Sequence, residues 1–450
     1  MRKKVLSVVL CGAMAATMLA GCGSSEKTAS SAPASSAASA ASSAASTAAS
    51  SAASTEASAA SSATASVTDY GTGELKVWVA DEVADFTKEQ IAQFQKDNPA
   101  YAGYTVTVES VGEGDAASNM LTDVDAGADI FGFAQDQLAR LVSAGALTPL
   151  QGDQLDFVKN SNDEGSVGAA TLADTVYAYP ITSDNGYFLY YDKSVVTDPS
   201  TLDGIVKACE DAGKNFYFEI NSGWYQPSFF FGAGCTLTYD VDDSGNFTKC
   251  NMDYASDKGV GALKAIIALH KSKAFQNGSS IDKATNFAAI VDGTWDSSAA
   301  KKAFGDNYAC APLPTFTLNG EQVQLGGFGG FKLIGVKPQT DANKLAVCQA
   351  IAQYLSGKDV QLARYKANGW GPSNKEAQQD SAVQSDTALT ALNQQLQFDI
   401  PQGQYPDDYW STATSLGDSV IAGDYDNASD DDLMAALQSF QDTCNSFAGN

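Results

Sequence analysis

Four of the five tryptophans in this 450-residue chain fall at predicted loops or helix starts, beside small or acidic residues. Exposed aromatic rings are flat apolar platforms, and neighbouring carboxylates and amides form hydrogen bonds. Sugars need both, because their C–H faces stack on rings while their hydroxyls require polar partners. The pattern indicates a site for a polyhydroxylated ligand, with core packing as the alternative for each ring. The four are Trp224 (NSGWYQP), Trp295 (VDGTWDSS), Trp370 (NGWGP) and Trp410 (YPDDYW).

Signals for catalysis are weak. The sequence contains neither a GxSxG elbow nor a GxxxxGK[ST] loop, and the glycines at 326–330 do not form a GxGxxG that opens a helix. His270, the single histidine, lies in an apolar helical run without an obvious Ser or Cys partner. No two acids are singled out as a glycosidase pair, although composition alone leaves a surface hydrolase open. We therefore predict no catalytic residues and no cofactor.

The cysteines indicate disulfides more than metal. The chain has eight cysteines but no CxxC, so a zinc site is not expected and we predict no metal. Cys235 and Cys250 flank YDVDDSGN, which is typical of a hairpin turn, and we expect them to form a disulfide. The alternative is that all six cysteines after Cys22 are free thiols. The pattern assigns no partner to the other four, which are Cys209, Cys310, Cys348 and Cys444.

The N-terminus has the features of a targeting segment. A basic start and an apolar run in residues 1–21 predict a signal peptide, too short to span a membrane. The sequence LAGC ending at Cys22 resembles a bacterial lipobox, which implies cleavage before Cys22 and lipidation of its thiol. The alternative is an ordinary signal peptide with a cysteine nearby. Residues 22–70 are rich in Ser and Ala and predict a flexible tether with a reach of about 40 Å. These features together predict a lipid-anchored protein on the outer face of a bacterial cell membrane.

The net charge restricts the partners. A charge of −26 at pH 7 argues against nucleic acid and against electrostatic docking on anionic lipid. The acids are dispersed except in residues 424–432, which read as a solvated loop. We expect a soluble, monomeric ligand-binding part with no nucleic-acid partner.

The elements beyond the tether alternate between strand and helix. Apolar or alternating runs predict strands at 75–80, 104–108 and 128–133, and a glycine-rich strand is predicted at 326–336. The sequence TKEQ at 87–90 resembles a capping box that opens a helix. Such alternation predicts an α/β protein with mostly parallel sheet. About 380 residues exceed what one hydrophobic core usually serves, so two domains are expected.

Several motifs occur in the order seen in maltose/maltodextrin-type extracellular solute-binding lipoproteins of ABC sugar importers, which the chain resembles from Glu74 onward. That family folds into two α/β lobes with a ligand cleft between them. The resemblance implies one lobe of residues 74–181 plus 316–370 and another of 185–311 plus 371–450. The chain would cross between lobes near residues 179–185, 312–316 and 367–372. The motifs are LKVWV, ADIFGFAQD, AGALTPL, YPI, VDGTW, APLPTF, GGF and YW.

The resemblance also implies which residues bind the ligand. Trp224, Trp295 and Trp410 would supply aromatic platforms, with Tyr225 and Tyr409 beside two of them. Phe133 stands where relatives often carry tryptophan. The implied polar contacts are Asp81, Glu82, Gln135, Asp136, and Asp184 or Asn185.

The implied function is capture of a carbohydrate, namely an oligosaccharide such as maltodextrin, by hinge closure and its delivery to an ABC transporter permease. A non-sugar solute such as a polyamine, and a structural adhesin, remain alternatives. Locally, Asp292 and Gly293 would turn the chain at the cleft edge, and Asp296 or Ser297 would cap the following helix. Trp295 would then face the ligand.

Overall fold

The computed structural model describes residues 69–449. The predicted signal peptide, Cys22 and nearly all of the tether therefore lie outside the described residues. The strands are β1 Gly73–Val79, β2 Tyr104–Ser110, β3 Ile130–Ala134, β4 Thr171–Leu172, β5 Thr175–Val176, β6 Ala178–Asn185, β7 Tyr187–Asp192, β8 Asn215–Tyr217, β9 Leu237–Val241, β10 Phe247–Met252, β11 Phe275–Gln276, β12 Phe287–Gly293, β13 Tyr308–Ala311, β14 Thr315–Leu318, β15 Glu321–Gln324, β16 Phe328–Val336 and β17 Ile400–Pro401.

The helices follow the same alternation with the strands that the sequence predicts. Among residues 69–449, no helix is both long enough and apolar enough to be a candidate membrane span. The α-helices are α1 Asp81–Asp97, α2 Ala116–Thr122, α3 Leu138–Ser143, α4 Gly152–Ser161, α5 Glu164–Ala169, α6 Leu202–Ala212, α7 Pro227–Gly232, α8 Asp257–His270, α9 Ser297–Phe304, α10 Ala342–Leu355, α11 Lys358–Asn368, α12 Ser381–Gln384, α13 Thr387–Gln395, α14 Asp407–Ile421 and α15 Asp430–Asn445.

Two five-stranded paths form the two main sheets, and both are mixed. The first runs β17-β16-β3-β1-β2, with β6 also on β16; β1 is parallel to β2 and β3, but β16 is antiparallel to β3 and β6. The second runs β11-β8-β12-β7-β13, with β7 antiparallel to β12 and β13. The sheets are therefore mixed and not mostly parallel, because β16 is antiparallel to β3 and β6, and β7 is antiparallel to β12 and β13, while the other pairings in these two sheets are parallel.

Each main sheet has a hydrophobic core of its own. The first core contains Val77, Phe131 and Leu333, and α1 and α10 pack on it through residues such as Ile91 and Ile351. The second core contains Leu189, Phe216 and Val291, covered by α6, α8, α14 and α15. Spacing of apolar residues on each helix directs one face to its sheet. The α/β, two-lobed fold class predicted from the sequence is observed, with a smaller third cluster, which includes Tyr190 and Ile290, also packed on the second sheet.

The chain crosses between the cores at places that differ in part from those expected. Phe316 and Leu325 pack in the second core, as does Phe328 at the start of β16, whereas Leu333 packs in the first. The crossing therefore occurs inside β16, and the boundary expected at residue 316 is too early. Trp370 packs in the first core and Ala388 against the second sheet. The sequence motif APLPTF misled because its prolines mark a strand end, not a crossing.

Residues just after the expected third crossing also stay with the first lobe. Ser373 donates through its hydroxyl to Asn162, and Gln378 donates to Asp163 at 3.2 Å. The second lobe therefore does not begin at residue 371, and the crossing lies between Gln378 and Ala388.

Two local expectations fail for reasons visible in the backbone. Helix α1 begins at Asp81, directly after β1, so Thr87 is a buried residue inside the helix and not its cap. The β9–β10 hairpin forms as predicted, but Cys250 pairs with Tyr239, four residues beyond Cys235. At about 3.4 Å per residue, that offset exceeds the Cα separation a disulfide allows. The six cysteines within residues 69–449 are free, so the predicted Cys235–Cys250 disulfide is wrong.

Candidate functional site

Trp295 lies between the two cores. Its backbone follows β12 of the second sheet in a short 3-10 turn, while its side chain packs against the first core. The ring lies directly on Gly293, where a Cβ would fall less than 3.0 Å from three ring carbons. Glycine at 293 is therefore what lets the half-buried ring fold back over its own strand.

The turn that carries Trp295 is held differently from the sequence expectation. Asp296 occupies the N-cap position of α9 without capping it, because its carboxylate accepts a hydrogen bond from the Ile281 amide at 3.0 Å. Ser297 is the first residue of α9 and does not cap it either. Asp292 is fully buried, and burial together with the Asp296 charge raises its pKa well above the usual range. Burial thus disfavours the charged form of Asp292 in the strand that leads to Trp295.

A wall of aromatic side chains extends from Trp295 into the second lobe. Trp224 lies 5.8 Å from Trp295 between ring centroids, and its indole N–H is buried without a hydrogen-bond partner among the described residues. Tyr187 and Tyr225 contact Trp224 edge-on at 4.7 and 5.0 Å. Trp410 on α14 packs separately against Tyr405 at 5.4 Å. Trp224, Trp295 and Trp410 are half-buried, whereas Tyr225 and Tyr409 are buried.

Lys332 places a cation beside these rings. Its ammonium lies 3.7 Å from the centroid of Trp370 and 5.0 Å from that of Trp295. It also lies 3.8 Å from a carboxylate oxygen of Glu113, and both side chains are only 7% exposed. The other Glu113 oxygen is buried without a hydrogen-bond partner in the described part of the chain. Cation, carboxylate and two rings thus form one buried group.

Further carboxylates surround Lys332. Asp184 accepts from the Thr294 hydroxyl at 2.5 Å and from the Gly371 amide. Burial raises the pKa of Asp184, and the Lys332 charge opposes that rise. Desolvation also raises the pKa of Glu82, again opposed by Lys332, although Glu82 is an exposed residue. The positive charge of Lys332 therefore partly balances the carboxylates of Glu82, Glu113 and Asp184.

A network of polar side chains, the polar bridge, also joins the lobes. Gln402 donates to Asp136 at 2.9 Å, accepts from Asn185 at 3.2 Å, and its carbonyl accepts from Gln135. Burial raises the pKa of Asp136 to about 7, against the lowering charge of Arg140. Arg140 in turn pairs with Asp407 of α14 at 2.5 Å. The first-lobe residues thus contact a segment that leads into the second core.

The profile of the bacterial extracellular solute-binding protein family matches residues 89–391. The chain belongs to this family. It is 24% identical over 319 residues to a galactooligosaccharide-binding protein of Bacillus subtilis (strain 168), covering 67% of this chain and 73% of that protein.

Solved structures resemble the chain over most of its length. One chain solved with acarbose has a TM-score of 0.72 at 28% identity, covering 84% of this chain and 99% of the other. A maltodextrin-binding protein from L. casei BL23, solved without ligand, has a TM-score of 0.67 at 26% identity, covering 83% and 99%. These matches confirm the family resemblance and the two-lobed fold expected from the sequence.

Within this solute-binding fold, most of the expected ligand residues gather at the lobe boundary. Glu82, Asp184 and Trp295 cluster around Lys332, whereas Gln135, Asp136 and Asn185 are used in the polar bridge. Phe133 is fully buried in the first core beside Phe131, so we do not retain it as a ligand residue. Asp81 is exposed and accepts from Ser110 at 2.8 Å.

Sequence reasoning missed Lys332, Glu113 and Gln402. The only available signal for Lys332 was a lone lysine in the apolar run GGFKLIGV, which is unusual for a buried strand. A separate surface groove of about 460 Å³, lined by Phe94, Tyr101 and Tyr354, lies on the first lobe and includes none of the boundary residues.

Proposed function

We propose that this chain binds an oligosaccharide between its lobes, without catalysis, and releases it to a membrane permease. The supporting observation is the pair of half-buried tryptophans, Trp224 and Trp295, at the boundary between the two cores. Their rings offer stacking surfaces, and buried polar atoms without partners lie nearby, on Glu113, Gln135 and Trp224. A ligand with apolar faces and many hydroxyls matches both needs.

A cationic solute such as a polyamine fits this site less well. The ammonium of Lys332 already lies among the rings and carboxylates that a cationic ligand would use. A second cation would meet like charge at close range in a poorly hydrated region, where repulsion is strong. A neutral ligand avoids that repulsion.

The relatives narrow the ligand class to try first. One relative is named for galactooligosaccharide and one structural neighbour for maltodextrin. We propose that this chain binds a neutral oligosaccharide of a few sugar units, either a galactooligosaccharide or a maltodextrin. The wall from Trp295 to Trp224, with Trp410 beyond it, provides room for more than one stacked ring.

Cellular placement rests on the N-terminal sequence together with the family. The family is extracellular, and the sequence ending at Cys22 resembles a lipobox. We propose that lipidated Cys22 anchors the protein outside the cell membrane, and that the tether keeps it near an ABC permease at high local concentration.

Isothermal titration of the full chain tests the ligand class. The panel is maltotriose, maltotetraose, a galactooligosaccharide and spermidine. We expect heat with at least one sugar, none with spermidine, and no new reducing ends after incubation. Trp295→Ala should lower the sugar affinity at least about tenfold. Tyr101→Ala, which removes a ring stacked on Tyr70 outside the boundary, is the matched control. Binding of spermidine alone would refute the proposal.

A further inference from the structure

Lys332 lies where the chain passes from one lobe to the other. Strand β16 starts in the second core at Phe328 and continues in the first at Leu333. Its pairing with β6 shifts register on both sides of Lys332, between Gly330 and Lys332 and again before Leu333. Such an irregularity redirects a side chain within a strand. Lys332 therefore stands at a hinge position with its side chain directed away from the regular pleat.

The contacts of the Lys332 ammonium are unequal in a way that bears on lobe motion. The Glu113 and Trp370 contacts, at 3.8 and 3.7 Å, are both with groups of the first lobe. Trp370 is 1% exposed, so this half of the group is fixed. The 5.0 Å contact is with Trp295, whose backbone directly follows β12 of the second sheet while its ring packs against the first core. Separation of the lobes would break the Trp295 contact and leave the other two in place.

The surroundings explain why the ammonium stays in this group. Glu82, Asp184 and Glu113 all lie close enough to interact with it electrostatically. A lysine that is 6% exposed requires such compensation, since an isolated buried ammonium is very unfavourable. First-lobe carboxylates thus hold the ammonium of Lys332 within 5.0 Å of the centroid of the Trp295 ring.

We propose that Lys332 is a positioning residue for ligand binding: in the sugar-free protein its ammonium holds the ring of Trp295 and keeps the lobes together, and an arriving sugar has to replace that contact. Only the second part of this inference, displacement of the Lys332–Trp295 contact by a sugar, rests on the proposed function. The first part, contact between the lobes in the sugar-free chain, does not depend on which ligand binds. Lys332 would then oppose binding while limiting opening of the empty protein.

The direction of the effect follows from a two-state scheme of open and closed lobes. A contact made only in the empty closed state lowers the free energy of that state and weakens the apparent affinity for a ligand that displaces it. Removal of one partly desolvated cation–π contact should raise sugar affinity by about 2- to 30-fold. The same removal should shift the empty protein toward the open form.

The test compares Lys332→Met with Lys332→Arg in the full chain. Lys332→Met removes the cation and leaves Glu113 unpaired, so Lys332→Met/Glu113→Gln is made alongside it to keep the charge balanced. Lys332→Arg retains a cation and should restore part of the behaviour that Lys332→Met loses. Lys301→Met is the matched control, because Lys301 lies 5.8 Å from the Tyr308 ring, away from Trp295. Small-angle scattering without sugar and titration with maltotriose and a galactooligosaccharide are measured for each.

The expected result is a larger radius of gyration for the sugar-free Met variants and a 2- to 30-fold tighter sugar affinity, with Lys332→Arg closer to the wild type than Lys332→Met and with Lys301→Met unchanged. Weaker sugar binding by the charge-balanced double variant would overturn the inference, because Lys332 would then contact the sugar directly. An unchanged radius in the double variant would also overturn it. Absence of sugar binding by the wild type would instead contradict the proposed function, and the scattering comparison would still decide the lobe contact.

Discussion

Gly293→Ala perturbs the site with a single methyl group. The Cβ at this position would fall less than 3.0 Å from three carbons of the Trp295 ring. The backbone itself accepts alanine, because its φ of −103° is ordinary for any residue. The substitution therefore acts on the tryptophan ring and not through backbone strain.

The magnitude follows from what can move. Fully buried Asp292 and the first core restrict the ring, so it has to swing away from its strand. Forcing an extra methyl into a packed site costs about 1–3 kcal/mol. If that cost falls on the conformation that holds Trp295 ready for sugar, affinity drops by about 5- to 150-fold.

Isothermal titration and thermal unfolding of the variant separate the two possible effects. We expect weakened sugar binding with a thermal midpoint lowered by only a few degrees, as overpacking of about 1–3 kcal/mol implies for a protein of this size. Gly403→Ala is the control near the polar bridge, since no heavy atom lies within 4 Å of its Cβ. Wild-type affinity in Gly293→Ala would refute the assigned role of the Trp295 ring.

Three further predictions concern other parts of the molecule. Arg140→Ala removes the ion pair with half-exposed Asp407 and should shift the equilibrium of the empty protein toward the open form by about 1 kcal/mol or less. The shift would be measured as a larger radius of gyration in small-angle scattering. Lys264→Ala, which breaks an exposed ion pair within the second lobe, should leave the radius unchanged. The pKa of Asp136 is raised to about 7 in the folded chain, so its protonation favours folding and the free energy of unfolding should fall as pH rises from about 4 to 7. Asp136→Asn should lose this part of the pH dependence, which is worth about 4 kcal/mol at most. An unaltered slope of the unfolding free energy against pH would contradict the burial argument. Reducing agent should leave the thermal midpoint unchanged, and a midpoint that falls on reduction would indicate a disulfide. Burial raises the pKa of Cys209 and Cys348 to about 12, so iodoacetamide should modify these thiols only after unfolding.

Local patterns predicted the elements where one physical signal dominates. The β-branched apolar runs became β1, β2 and β3, and YDVDDSGN became the β9–β10 turn, because these stretches have no competing structure. The start of α1 was misplaced because a capping pattern at Thr87 looked complete. The acidic pair Asp81 and Glu82 directly after β1 was the better signal, since acids favour the first turn of a helix.

The site was only partly predictable, because its residues are brought together by tertiary structure. Loop tryptophans beside small residues pointed correctly to the region of Trp224 and Trp295. No spacing in the sequence could show that Lys332 meets Trp295, 37 positions away along the chain, since that contact depends on a bulge in β16. The predicted Cys235–Cys250 disulfide is wrong for a related reason, because the position of two residues on either side of a turn does not fix the register of the strands.

A crystal structure of the full chain with the tightest-binding sugar of the panel tests the central claim most directly. The account predicts sugar between the lobes, with a ring stacked on Trp295 and with hydroxyls reaching the unpartnered oxygen of Glu113. Sugar bound elsewhere, such as in the groove beside Phe94 and Tyr101, with Trp295 still against Lys332, would contradict it.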